Sequence, residues 1–126
     1  MREKFDTDLP KQSPDYKKII VKDMNTSEKA WTFLDGSKRN AVLLKSCAIG
    51  LGTYLPGWRW SEHVGSKTGK ASESHIGYVI SGKLCIKDVN GTETEIAPGM
   101  AFEVGPSHDA WVVGDEPCIA LDFLPL

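Results

Sequence analysis

Turn-forming residues recur so often along this chain that no helix of ordinary length fits between them. Gly36, Gly50, Gly52, Pro56-Gly57, Gly82, Asn90-Gly91, Pro98-Gly99, Gly105-Pro106 and Gly114 divide it into short apolar, β-branched stretches. Glycine and proline punctuate backbone structure, and Asn-Gly is the strongest short-range hairpin signal. The stretches read as strands: Ile19–Val21, Trp31–Leu34, Ala41–Ile49, Thr53–Leu55, Trp58–His63, Ile76–Ile80, Leu84–Asp88, Thr92–Ile96, Ala101–Val104, His108–Val113 and Cys118–Phe123. About ten short strands with no sustained helical period mean an all-β sandwich or barrel. A short helix over Ser27–Ala30 is the weakest reading, and residues 65–74, small and polar, read as an exposed mobile loop.

A chain of 126 residues suits one domain. Residues 1–16, polar and containing Pro10 and Pro14, read as an extended N-terminal arm; 17–126 form the single domain. A net charge of −2 offers nothing to nucleic acid or an acidic membrane. No apolar run approaches the roughly 20 residues of a membrane span, and the first residues lack a signal-peptide pattern. Cys47, Cys85 and Cys118 are odd in number, widely spaced and set among apolar residues. They read as reduced, buried thiols of a cytoplasmic protein.

The three histidines all fall inside the strand-rich part of the chain: His63, His75 and His108. Imidazole is the commonest protein metal ligand, and three imidazoles from three facing strands can converge. Alternation along Trp58–His63 puts Arg59, Ser61 and His63 on one face, with Trp58, Trp60 and Glu62 on the other. If His63 points inward, the two tryptophans face out. Glu62 is then a fourth ligand or a partner to one.

The spacing of turns and histidines resembles the cupin superfamily, over about residues 41–124. That family's first motif runs Gly, five residues, His-x-His, three or four residues, Glu, six residues, Gly. Gly57, five residues and His63 match its start; His75, six residues and Gly82 match its end, with histidine in place of the glutamate. Gly65 stands where the second histidine belongs. In the second motif, counted from Gly99, Gly105 and Ser107 occupy the Pro and Gly positions, Ala110 the histidine and Gly114 the asparagine. His108 comes two residues early, one strand period, so it keeps the inward face.

The resemblance implies a double-stranded β-helix, or jelly-roll, barrel with a divalent metal (Zn, Fe, Ni, Mn or Cu) on His63, His75 and His108. It implies a small-molecule ligand too, for which Arg59, Tyr78 and Trp111 are the candidate pocket residues. Three functions follow: a metal-dependent enzyme of dioxygenase or isomerase type, a non-catalytic binding or sensory cupin, and a metal-free structural barrel. A homodimer is expected, built from the N-terminal arm, the Ile19–Val21 strand and the outward tryptophans.

Overall fold

A computed structural model describes residues 18–125; the expected arm over 1–16 lies outside the described residues. Nine strands form two antiparallel sheets. In chain order they are β1 (Lys29–Thr32), β2 (Lys38–Leu43), β3 (Cys47–Tyr54), β4 (His75–Ser81), β5 (Lys83–Lys87), β6 (Glu93–Ile96), β7 (Ala101–Val104), β8 (Asp109–Val113) and β9 (Cys118–Pro125). The larger sheet runs β1-β2-β3-β9-β4-β7, and the smaller runs β6-β5-β8.

The sheets share one core. Val79, Cys118 and Ala120 of the large sheet meet Leu84, Ile86, Ile96, Ala110 and Val112 of the small one, over Trp58. Inward residues alternate with outward ones, as the period of two in a pleated strand requires. On β8, for example, Ala110 and Val112 are buried while Asp109, Trp111 and Val113 are not. The all-β jelly-roll architecture therefore stands, with one qualification: the two sheets do not join into a closed barrel.

Four elements differ from the sequence reading. The stretch Ala41–Ile49 is two strands, β2 and β3, turned at Leu44–Ser46, where the Leu44 N–H meets the Cys47 carbonyl. Polar Lys45-Ser46 was the signal for that turn. Ser27–Ala30 is not helical; a 3₁₀ turn occupies Met24–Thr26 instead, capped by the Asp23 carboxylate on the Asn25 N–H. Ile19–Val21 forms no strand and is exposed.

The fourth difference is the largest. Trp58–His63 is not a strand: one bridge links Arg59 to Trp111, and then the chain coils through Ser61–Gly65 and Ser66–Thr68. One long-range contact and one local contact favour the coil. The Asp109 carboxylate accepts from both the N–H and the hydroxyl of Ser61, and so satisfies a helix-start donor. Trp60 folds back over Gly65, where any Cβ would sit 2.5 Å from the indole ring. The expected outward face for the tryptophans fails with the strand: Trp58 is 4% exposed, inside the core against Tyr54 and Phe33.

Candidate functional site

Two of the three histidines meet. His108 immediately precedes β8 and shares the inward parity of Ala110 and Val112, and it is buried at 6% exposure. Its approach is held by Ser107, a non-glycine residue at φ +63°, whose N–H bonds to the Ser72 carbonyl. The Ser72 hydroxyl accepts the His108 N–H (2.8 Å) and donates to the His108 carbonyl (2.6 Å). Ser72 is thus buried, and this part of the expected mobile loop is packed structure. The His108 Nδ1 lies 2.9 Å from the Gly105 carbonyl. A carbonyl only accepts, so Nδ1 carries the proton and a neutral ring leaves Nε2 open.

His75 begins β4, half-buried on the inward face with Gly77 and Val79. Its ring centre is 5.2 Å from that of His108, and Phe102 stands edge-on to it at 5.6 Å. Burial pushes its pKa below the ordinary histidine value, and the neighbouring His108 and Arg39 push the same way. Asp122 and a hydrogen bond to the Glu73 carbonyl oppose them without prevailing. His75 is therefore a neutral imidazole near pH 7.

Beside the pair lies an ion pair that the sequence reading missed. Arg39 on β2 grips Asp122 on β9 in a two-pronged contact, Nε to Oδ2 at 2.9 Å and Nη2 to Oδ1 at 2.6 Å. The strand between them carries Gly50, where a Cβ would come within 2.5 Å of Arg39 Nη2 and 2.6 Å of Asp122 Oδ1. Gly50, expected among the turn-forming residues, instead lies within β3 and is the space in which this pair sits. Burial opposes the Arg39 charge, but the bonds and charge of Asp122 outweigh it and hold the guanidinium above its usual value. Trp31 stacks on it at 5.1 Å. The available signal was Asp122 itself, a single carboxylate inside the apolar run Ala120–Leu124.

The remaining sequence candidates lie elsewhere. His63 sits on the helical coil with Nδ1 at 2.9 Å from the Arg59 N–H, not on an inward strand face. Glu62 is exposed on the same coil. Arg59 stacks on Trp111 at 4.3 Å and pairs with Asp109 at 2.9 Å, on the outward side of β8. Tyr78, opposite in parity to His75, faces out at 38% exposure. None of Arg59, Tyr78 and Trp111 lines the interior. Among the described residues no three His, Cys, Asp or Glu side chains gather as a metal-holding group.

A cleft of about 590 Å³ opens where β6 and β7 leave the sheets unjoined. Ile86, Ile96, Phe102 and Val104 form its apolar part, Thr92 and Thr94 its hydroxyls, and Asp88, Glu95 and Glu103 its carboxylates; no lysine or arginine lines it. Phe102 is the wall between this cleft and His75. A smaller recess of about 280 Å³, bounded by Trp60, Lys87, Ser107 and Asp109, reaches His108 from the other side.

No family model and no curated protein matches this chain. Solved structures do. A sugar phosphate isomerase of the cupin superfamily from Silicibacter pomeroyi matches with a TM-score of 0.57 at 16% identity, over 80% of this chain and 72% of that one. A cupin-like protein from Thermotoga maritima gives 0.57 at 15%, over 72% and 69%. The chain has the cupin fold. KdgF from Halomonas sp. gives 0.57 at 18%, over 78% and 86%. Against the cupin motif, the coil at Ser61–Gly65 replaces the strand that would carry the first histidines, and His75 and His108 remain on the inward face. No described helix is long and apolar enough to cross a membrane.

Proposed function

We propose that this cupin is a small-molecule enzyme of isomerase type, with His75 and His108 as its proton-transfer pair. The observation that carries this is their arrangement: two imidazoles 5.2 Å apart on the inward face, that of His108 tied at Nδ1 to the Gly105 carbonyl. The fixed tautomer of His108 leaves its Nε2 open as a base, and a depressed pKa keeps His75 unprotonated near neutral pH. One imidazole takes a proton from a carbon next to a carbonyl, and the proton returns to the neighbouring carbon or oxygen. The bonding electrons stay within the substrate, so no oxidant is required. The cleft receives the molecule once Phe102, the wall between it and His75, turns aside, and its lining of three carboxylates without a cation favours a neutral sugar over a sugar phosphate.

The same spacing supports a second reading, a divalent cation on the pair. Two imidazoles sharing one tetrahedral ion at about 2.0–2.1 Å have ring centres roughly 5 Å apart. His75 and His108 would hold the ion, and it would supply Lewis-acid polarisation of a bound carbonyl. Such sites take at least three protein ligands as a rule, and the described residues bring two. The donor set therefore fits an ion only in part, and the proton-transfer reading stands first.

The test is solvent deuterium incorporation into neutral aldoses and ketoses, followed by NMR, with and without added Zn(II), Ni(II) or Mn(II). Incorporation by wild type, lost in His75→Gln and His108→Gln and kept in His63→Gln, is the expected result. Wild type that exchanges no substrate proton under any of these conditions sinks the enzymatic reading. Calorimetric titration with the same metals decides the second. Less than about 0.2 ion per chain, against about 1 for an occupied site, removes the metal.

A further inference from the structure

The Arg39–Asp122 pair shares the inward face of the large sheet with His75, and proton transfer leaves it without a task. Asp122 is inward on β9 with Cys118 and Ala120, and the registers set it between Gly50 and Gly77. His75 lies two residues along from Gly77. It is therefore the diagonal neighbour of Asp122, with Cβ atoms roughly 7 Å apart. The Phe102 ring occupies the space that a Cβ at Gly77 would take. Substrate entry turns that ring aside, and bare backbone then joins His75 to Asp122. A ligand can reach the pair, because its side chains remain 21% and 16% exposed.

We propose that the Arg39–Asp122 pair is a subsite of the histidine site and binds two adjacent hydroxyls of a neutral, open-chain sugar. The inference rests on the proton-transfer reading for the reacting end of that molecule. Unused hydrogen-bonding capacity supplies the argument. Arg39 has five N–H donors, and Asp122 takes two of them, at Nε and Nη2. The Asp122 carboxylate has about four lone-pair positions, and Arg39 fills two. The pair thus keeps donors and acceptors side by side, with no other hydrogen-bond partner among the described residues. A hydroxyl both donates and accepts, so one of two neighbouring hydroxyls meets the guanidinium and the other the carboxylate. An anionic ligand matches poorly, because Asp122 already balances the Arg39 charge and would repel a second anion. Trp31 covers a face of the guanidinium at 5.1 Å, so its edge carries the hydrogen bonds. The span from His75 suits a chain of about four to six carbons, carbonyl at the histidines and diol at the pair.

Ribitol tests the subsite apart from turnover, since it has adjacent hydroxyls and no carbonyl. Titrated into the full chain and followed by NMR, it should bind wild type and shift the indole N–H signal of Trp31. That of Trp111, on the outward side of β8, should stay put. Pentamethylene glycol, equal in length with hydroxyls only at its ends, should not compete. Asp122→Asn and Arg39→Lys should each raise the ribitol Kd about tenfold or more, the usual loss for a hydrogen bond to a charged group. Arg39→Met combined with Asp122→Leu removes the pair without leaving an unpaired charge, and should abolish binding. That double variant keeps the test decisive if a single one fails to fold. In the deuterium-exchange assay the single variants should raise KM for a pentose about tenfold and hold kcat within about threefold. A merely structural role would lower the active fraction, and so kcat alone. Wild type that binds no ribitol at about 100 mM, or variants that bind it as wild type does, overturns the proposal. Ribitol binding without any proton exchange would sink the isomerase reading and leave the polyol site in place.

Discussion

His75 can carry a proton only against its surroundings. Burial, His108 and Arg39 all disfavour the imidazolium, so its folded pKa lies below that of the unfolded chain, about 6.5. Between the two values the unfolded state binds more protons, and acid therefore favours unfolding. The contribution of His75 to stability is complete above about pH 6.5 and disappears as pH falls through the folded value. Urea midpoints measured from pH 7.5 to 5 should fall for wild type, and His75→Gln should flatten that decline. An equal decline in both proteins would place the acid sensitivity elsewhere. Asp122 faces His75 with opposite charge, and Arg39 holds its carboxylate, so the ion pair moderates the field at the histidine.

The coil over Ser61–Thr68 is held together from outside itself. Asp109 accepts from Ser61 twice and from Arg59 once, and Arg59 in turn lies flat on Trp111. Burial alone would raise the Asp109 pKa, but its bonds from Ser61, Ala110 and Arg59 hold it below the ordinary value, so it is a full anion at neutral pH. Asp109→Ala should cost about 1–2 kcal/mol in urea unfolding, as loss of a helix-start acceptor does. Asp109→Asn, which keeps an acceptor for the Ser61 N–H, should cost less. Equal stability of all three proteins would show that the coil does not depend on this contact. Such dependence explains what could be read in the sequence. Ala101–Val104 appears over the very residues read as a strand, and β4, β5 and β9 lie within a residue or two of their expected limits. Those strands are set by local alternation and by the turns at Gly82 and Pro98-Gly99. The coil is set by Asp109, some 48 positions away, and by a missing Cβ at Gly65, neither of which has a local periodicity. For the same reason His63 left the expected ligand set, while His108, fixed by strand parity, stayed inward.

Two sheets that meet through a core without closing into a barrel raise the question of whether they unfold together. Each sheet carries one buried thiol, Cys118 on β9 at 0% exposure and Cys85 on β5 at 5%. Burial raises both thiol pKa values, that of Cys118 to about 11, so at pH 8 neither presents much thiolate. Cys118 points into the core and must wait for its strand to open, whereas Cys85, opposite Trp111 and Glu95 on the outer face, needs only those side chains to move. β9 lies between β3 and β4, and β5 lies between β6 and β8, so each is the most enclosed strand of its sheet. Their inward neighbours form a single cluster, with Ala120 and Val79 against Leu84 and Ile86. A shared core of this size favours one cooperative transition. Cys47, half-buried at the start of β3, should react first in the native protein with a thiol reagent such as DTNB. Cys85 should follow, and Cys118 should react last, at the rate of global opening, when labelling is followed by mass spectrometry. Cys118 labelling more than about tenfold faster than global unfolding would mean that the large sheet opens on its own. The gap between β6 and β7 would then be a hinge between two units rather than a cleft in one.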